Sequence, residues 1–268
     1  MDAMGWLFLL LVPATYLVML AVERRWPARS FPRRAGWQWL GAGFLVLSLA
    51  IGTALPLFLP IDWMAEHRLV DGTALGVAGG ALAGFLVLEL FVYAWHRGAH
   101  ELSFMWRAFH QMHHSPQRVD IPGALVFHPL ESAVYTVIPL VVTVLLLGLD
   151  PLAAAITGYL FALAGFFQHW NVRTPHWLGY VLQRPESHCV HHRRGMHYYN
   201  FADLALWDIL FGTFRNPRQF MGECGFEEGA ERRLGAMLGF ADVNAPLYGA
   251  RSRGVAPATR ATLSTAVR

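Results

Sequence analysis

The stretch LELFVYAWHRGAHELSFMWRAFHQMHH, Leu88 to His114, decides how this chain is read. An apolar run ends in HRGAH (His96, His100), HQMHH follows (His110, His113, His114), and HCVHH (His188, His191, His192) later repeats the second spacing. Residues three and four apart share a helical face, so each cluster aims two or three ring nitrogens at one point. A tetrahedral zinc is filled by four ligands and a catalytic zinc usually takes three from the protein, so eight clustered histidines oversupply one zinc centre. Imidazole suits iron, copper and nickel equally. The spacing therefore predicts a dinuclear site and leaves the metal open. A single HxxxH pair arises often by chance, whereas two copies of HxxHH beside one HxxxH do not.

Working outward, the chain of 268 residues is 55% hydrophobic and 15% charged, too apolar for an ordinary soluble domain of its length. Met4 to Val22, Trp37 to Leu59 and Thr73 to Trp95 each approach or exceed the roughly 20 residues that cross a bilayer. Ser132 to Leu149 and Pro151 to Trp170 are separated only by the turn Gly148-Leu149-Asp150-Pro151 and predict a tight helical hairpin. The first of these two holds Pro139 and is marginal in length, so four or five spans are expected. Asp2 stands where a signal peptide would be basic, and the first run is read as a retained anchor. Trp26, Trp37, Trp39, Trp63, Trp95 and Trp170 fall near span ends, where tryptophan forms an interfacial belt.

Charge orients the spans. Arg24, Arg25, Arg29, Arg33 and Arg34 lie between the first two, while the next loop carries Asp62, Glu66, Asp71 and one arginine, Arg68. Positive charge marks the cytoplasmic side. All three clusters, and His169 at the end of the hairpin, then reach the cytoplasmic face, with His67 on the opposite one. The fold class that follows is all-α: an integral membrane helical bundle with a cytoplasmic, histidine-rich helical cap that holds the dinuclear metal site.

HRGAH, FHQMHHSP (Phe109 to Pro116), FHPLE (Phe127 to Glu131), QHWNVR (Gln168 to Arg173), PESHCVHH (Pro185 to His192) and NFADLALWDILFGTF (Asn200 to Phe214) together resemble the fatty acid hydroxylase and sterol desaturase superfamily. The likeness runs in order from about Leu88 to Phe214, nearly half the chain. It implies a membrane-embedded, non-haem di-iron oxidase that uses O2 to hydroxylate or desaturate a lipid, with two iron ions as cofactor. Carried over residue by residue, the resemblance makes His96, His100, His110, His113, His114, His188, His191 and His192 iron ligands, adds His169 as a ninth, and offers His128 as a weaker candidate. Glu89 and Asn200 are the candidate catalytic residues. Two departures stand out: Asn200-Phe201-Ala202 replaces the Asn-Tyr-Gly of many members, and Arg173 stands where the fatty acyl branch tends to have another histidine. Sterols, fatty acyl lipids, carotenoids and ether lipids all remain as substrates.

Glu89 lies inside the third apolar run, seven residues before His96 and so on nearly the same helical face. An ionisable group there either orients a ligating imidazole or pairs with a neighbouring helix. Glu131 and Asp208 are further acceptors of this kind. His67 and His176 are read as loop histidines, and His197 as a group beside the site or facing substrate. No GxGxxG and no P-loop occurs, so electrons are expected from a separate ferredoxin or small cytochrome. Arg193, Arg194, Arg215 and Arg218 serve either to dock that donor or to anchor the cap on anionic lipid. Nucleic acid is not indicated, and Cys189 and Cys224 are expected to stay reduced.

The expected organisation is a membrane domain over residues 1–214, a short segment over 215–250 and a disordered tail over 251–268. The expected location is a multi-pass position in a bacterial inner membrane. A different class, a haem-binding electron-transfer subunit or a metal transporter, would place its ionisable groups near the midplane instead of at span ends.

Overall fold

Apolar runs without internal charge become helices because lipid leaves the backbone no partner other than itself. The computed structural model describes residues 3–244 and places there α1 (Ala3–Arg25), α2 (Trp37–Ala54), the short α3 (Ile61–Glu66) and the long α4 (Gly76–Glu101). The cap begins with α5 (Ser103–Met105), a π-helical turn (Trp106–His110) and α6 (Gln111–His114). Next come α7 (Pro129–Leu140), α8 (Pro151–His169), α9 (Pro185–His191), α10 (Ala205–Leu210) and α11 (Leu234–Leu238). No strand forms among the described residues; two isolated bridges, Leu182 with Leu204 and Arg193 with Cys224, tie the cap loops.

Four helical stretches among these residues are long and apolar enough to cross a membrane: Trp37–Phe58, Gly72–Glu101, Pro129–Leu146 and Pro151–His169. The chain is a multi-pass membrane protein. α1 lies against α8, with Thr15 hydrogen-bonded to Tyr159 at 2.9 Å and Tyr16 edge-on to Phe166.

The hairpin's marginal first span is rescued locally. Pro139 cannot donate to the helical ladder, and beyond it α7 opens into a π-helical turn, Val141–Leu146. The carbonyls at the end of that turn are taken from outside. Leu69, Val70 and Gly72 donate their N–H groups to the carbonyls of Leu145, Leu146 and Leu147. The loop before α4 thus closes the far end of the bundle, as buried helix ends require. Asp150 caps α8, accepting from the N–H of Leu152 at 2.8 Å.

The most extensive helix packing among the described residues is that of α4 with α8. Gly80 and Gly84, one turn apart, face Ala153 and Thr157; a Cβ at Gly84 would stand 2.5 Å from Thr157 Oγ1. Small residues at this spacing let backbones approach in lipid, where no hydrophobic force drives helices together. The contact holds the ends of α4 and α8, and so His96, His100 and His169, beside one another.

At that same end the arginine-rich segment meets the cap. Glu23 accepts from the N–H of Ile121 and of Asn171, and Arg118 donates to the carbonyl of Pro32. Gly41 of α2 lies so close to Pro122 that a Cβ there would be 2.6 Å from its carbonyl oxygen. Trp37, expected in the interfacial belt, is instead buried, donating to Asp120 at 3.0 Å.

The described part of the segment after residue 214 covers the cap. Phe226, Met237 and Val243 pack with Trp37, Trp106, Met112 and Val126 in one core, and Gly225 and Phe226 donate to the carbonyls of His192 and Ser115. The tail expected over 251–268 lies outside the described residues.

Candidate metal centre

The eight clustered histidines and His169 come together at the cap end of the bundle as two groups. His96, His100, His110, His114 and His191 form one; His113, His169, His188 and His192 form the other, and within each group the nitrogens on offer all lie within 4.8 Å of one another. Every one of these side chains is buried.

The repeated HxxHH spacing is used in a crossed manner. His110 and His114, four apart, enter the first group while His113 enters the second; His188 and His192 enter the second while His191 enters the first. Consecutive helical residues diverge by about 100° around the axis, so an HH pair is suited to feed two centres at once. His114 and His192 stack at 4.1 Å where the groups adjoin. The π-helical turn that ends at His110 sets its ring, and such turns recur at functional sites.

The rings are held from outside by oxygen acceptors. Nδ1–H of His96 donates to the carbonyl of Phe201 at 2.6 Å, that of His191 to the carbonyl of Tyr199 at 2.8 Å, that of His188 to Gln183 Oε1 at 2.9 Å and that of His110 to Glu131 Oε1 at 2.6 Å. Each bond fixes the tautomer with its lone pair on the inward Nε2, the arrangement of metal-ligating histidine. Nε2 of His96 and of His191 is buried without a partner, while His188 Nε2 faces those of His169 and His192 at 2.9 and 3.0 Å. Burial, with repulsion from neighbouring imidazoles, holds His110, His113, His114, His188 and His192 well below the usual imidazole range. Burial does the same at His191 against the pull of the Tyr199 carbonyl. Neutral rings whose lone pairs converge in a dry site fit a divalent cation in each group.

Replacing Glu131 by glutamine should keep the packing of α7 and weaken the acceptor that orients His110. The expected loss is about 10- to 100-fold in metal affinity or in turnover, read by metal titration of the purified protein.

His128 stands apart from both groups. It caps α7, its Nδ1 accepting from the N–H of Leu130 at 3.1 Å, and its Nε2 faces the carbonyl of Leu238. The cap arises because the sequence His-Pro begins a helix there.

Glu89 and Asn200 also lie outside both groups. Glu89 Oε2 accepts the N–H of Asp203 at 2.8 Å and of Leu204 at 3.2 Å. Asn200 adopts a left-handed backbone, φ 62°, and its amide bridges the carbonyls of Ser187 and Arg215 while its Oδ1 accepts from Arg215 N–H. Both hold loop backbone. Asp208 does likewise, accepting from the N–H of Phe201 and Ala202.

His197 is buried beside the first group, its ring 4.8 Å from that of His114 and its Nδ1 3.3 Å from the carbonyl of His191. His67 stacks on Trp63 at the opposite end, and His176 bonds the carbonyl of Asn216. Cys189 and Cys224 are free thiols, packed together with Val119. Gln183, not singled out in the sequence, orients His188; a glutamine five residues from a ligand carries no signal of its own.

From the histidines a cavity of about 530 Å³ runs into the bundle between α2, α7 and α8. His96, His110, His113, His169 and His188 form its inner end, and its walls are mainly apolar, with Leu49, Pro56, Val144 and Phe161 along its length. A long apolar chain can lie in it with one carbon at the nitrogen clusters.

The fatty acid hydroxylase family pattern matches residues 81–213, which contain all nine clustered imidazoles. The ornithine lipid hydroxylase of Rhizobium tropici is 28% identical over 186 residues, 66% of this chain and 55% of that protein. The alkylglycerol monooxygenase of Danio rerio is 33% identical over 144 residues, 48% of this chain and 29% of that protein. Sphinganine C4-monooxygenase 1 of Arabidopsis thaliana is 26% identical over 140 residues, 50% of this chain and 53% of that protein. The chain therefore spans about half, or less, of the length of these relatives. No solved structure matches it. Two crossed histidine groups, borne by the same ordered motifs and set at one end of a membrane helical bundle, place the chain in the fatty acid hydroxylase and sterol desaturase superfamily.

Proposed function

We propose that this protein is an O2-dependent, non-haem di-iron oxidase that hydroxylates a C–H bond of a membrane lipid. The observation that carries the reading is the apolar cavity that ends on two groups of buried imidazoles. Two irons held by those groups would supply the redox chemistry that an unactivated C–H bond demands and that acid and base side chains lack. The relatives favour hydroxylation over desaturation, since the three described above are named as hydroxylase or monooxygenases.

The protein's own part is positioning. The walls from α2, α7 and α8 exclude water and align one carbon of the chain with the clusters. Gln183, Glu131 and the carbonyls of Phe201 and Tyr199 keep the imidazoles oriented. Electrons come from a separate carrier of ferredoxin or small cytochrome type. The arginine-rich segment beside the cap supports a cytoplasmic position for the site, and the Rhizobium relative supports a bacterial inner membrane.

The test is mass spectrometry of membrane lipids from cells grown in air with this chain or with its His113→Ala variant. A lipid heavier by one oxygen, made only with the intact chain, is expected. A product lighter by two hydrogens would make the enzyme a desaturase. If no lipid changes and the purified protein carries no iron, the oxidase reading falls.

A further inference from the structure

We infer that residues 201–213 form a re-entrant element that dips into the bilayer beside α4 and presents Leu206, Ile209, Leu210 and Phe211 to lipid acyl chains. The course of the segment is drawn by its contacts down and back up α4. Phe201 meets His96 through its carbonyl; Asp203 and Leu204 bond Glu89; Trp207 Nε1 donates to the carbonyl of Leu86 at 3.2 Å. The chain then returns, with Phe211 stacked on Tyr93 at 4.9 Å and the Thr213 hydroxyl 3.2 Å from the Tyr93 hydroxyl.

Leu86 is nine residues from Val77 and nine from Trp95, the ends of the uncharged run around Glu89 (86 − 77 and 95 − 86). At 1.5 Å per residue it lies about 14 Å from either end, near the middle of the hydrocarbon layer. Glu89 is six residues, about 9 Å, inside the cap end (95 − 89). Irregular backbone at such depth is tolerated only when protein satisfies its polar groups, and here it does. The N–H groups of Phe201 and Ala202 go to Asp208, those of Asp203 and Leu204 to Glu89, that of Ala205 to the carbonyl of Val181 and that of Thr213 to the carbonyl of Asp208. An ionisable residue in a span is costly, and supporting this backbone gives Glu89 its reason to be there.

The other side of the element is uncovered and apolar: Leu210 is 63% exposed, and Leu206, Ile209 and Phe211 are open as well. It continues the lipid-facing surface of α4 towards Leu82, exposed one turn before Leu86 on the same helical face. Trp177 and Tyr180, exposed on the neighbouring turn, and Arg215 and Arg218, just after the return, suit the headgroup level above it. The occupant is therefore the acyl region of the membrane.

The test places a nitroxide on Leu210→Cys in lipid nanodiscs and compares its collision rates with O2 and with a water-soluble nickel chelate. Leu82→Cys serves as lipid reference and Met221→Cys, fully open on the cap, as aqueous reference; wild-type protein, with both thiols buried, gives the background. The Leu210 label is expected to match Leu82, with O2 strongly favoured over nickel. A label that matches Met221 would overturn the inference. So would dipolar broadening that disappears on dilution with unlabelled protein, which would make the face a contact with a second copy. Neither result depends on metal or turnover, so the oxidase reading stands or falls separately.

Discussion

Alanine in place of His113 or His191 should abolish lipid oxidation and lower bound iron while the helices stay inserted. The two variants attack different groups: His113 leaves three nitrogens in its set, and His191 leaves four in the other. Loss of a ligand should exceed the 10- to 100-fold expected for its outer partners, so turnover should fall by more than about 100-fold. Neither ring lies in the contact of α4 with α8, where Gly80 and Gly84 set the bundle. Thermal unfolding in detergent should therefore change much less than metal content. Full activity in either variant would remove the di-iron assignment.

The second large effect separates chemistry from access. Gly165 and Gly158 both line the cavity, and a Cβ at either meets nothing within 4 Å. Phenylalanine at Gly165, four residues and about 6 Å along α8 from His169, should fill the space beside the clusters. Product formation is expected to vanish with iron retained, whereas His113→Ala loses both. Phenylalanine at Gly158 stands eleven residues, about 16 Å, from His169, and should instead favour lipids with shorter chains. Both are read by the ratio of products from lipids of graded chain length, together with metal analysis. Unchanged chain-length preference in both variants would show that substrate does not occupy this cavity.

Much of the site was legible because ligand geometry is written in short spacings. HxxxH and HxxHH place imidazoles within one or two helical turns, and the placement of the arginine-rich segment already put all clusters at one end. His169 came from the resemblance, and the structure sets it against His113 and His188. What misled was adjacency in sequence. His128 sits within a family motif, yet its ring caps α7, and Asn200 follows the third cluster, yet its amide ties loops. Glu89 lies on nearly the same face of α4 as His96, yet its carboxylate reaches a backbone more than a hundred residues later in the chain. The cover of the cap by Phe226, Met237 and Val243 was equally invisible, because a short run without strong periodicity acquires its meaning from the surface it meets.

By itself the sequence determined that this protein is a membrane helical bundle, that its clustered histidines gather at one end, and that they suffice for two metals. Apolar length, charge asymmetry and helical period are local properties, and they survive in any packing of the spans. Only the tertiary structure decided how the histidines divide, five and four with each HxxHH crossing between groups, and which acceptors turn the rings inward. It also laid residues 201–213 along α4 and opened a cavity beneath the clusters. Those outcomes depend on which helix faces meet, on glycines that admit a neighbour to within a few ångströms, and on buried backbone that must find partners far away in sequence.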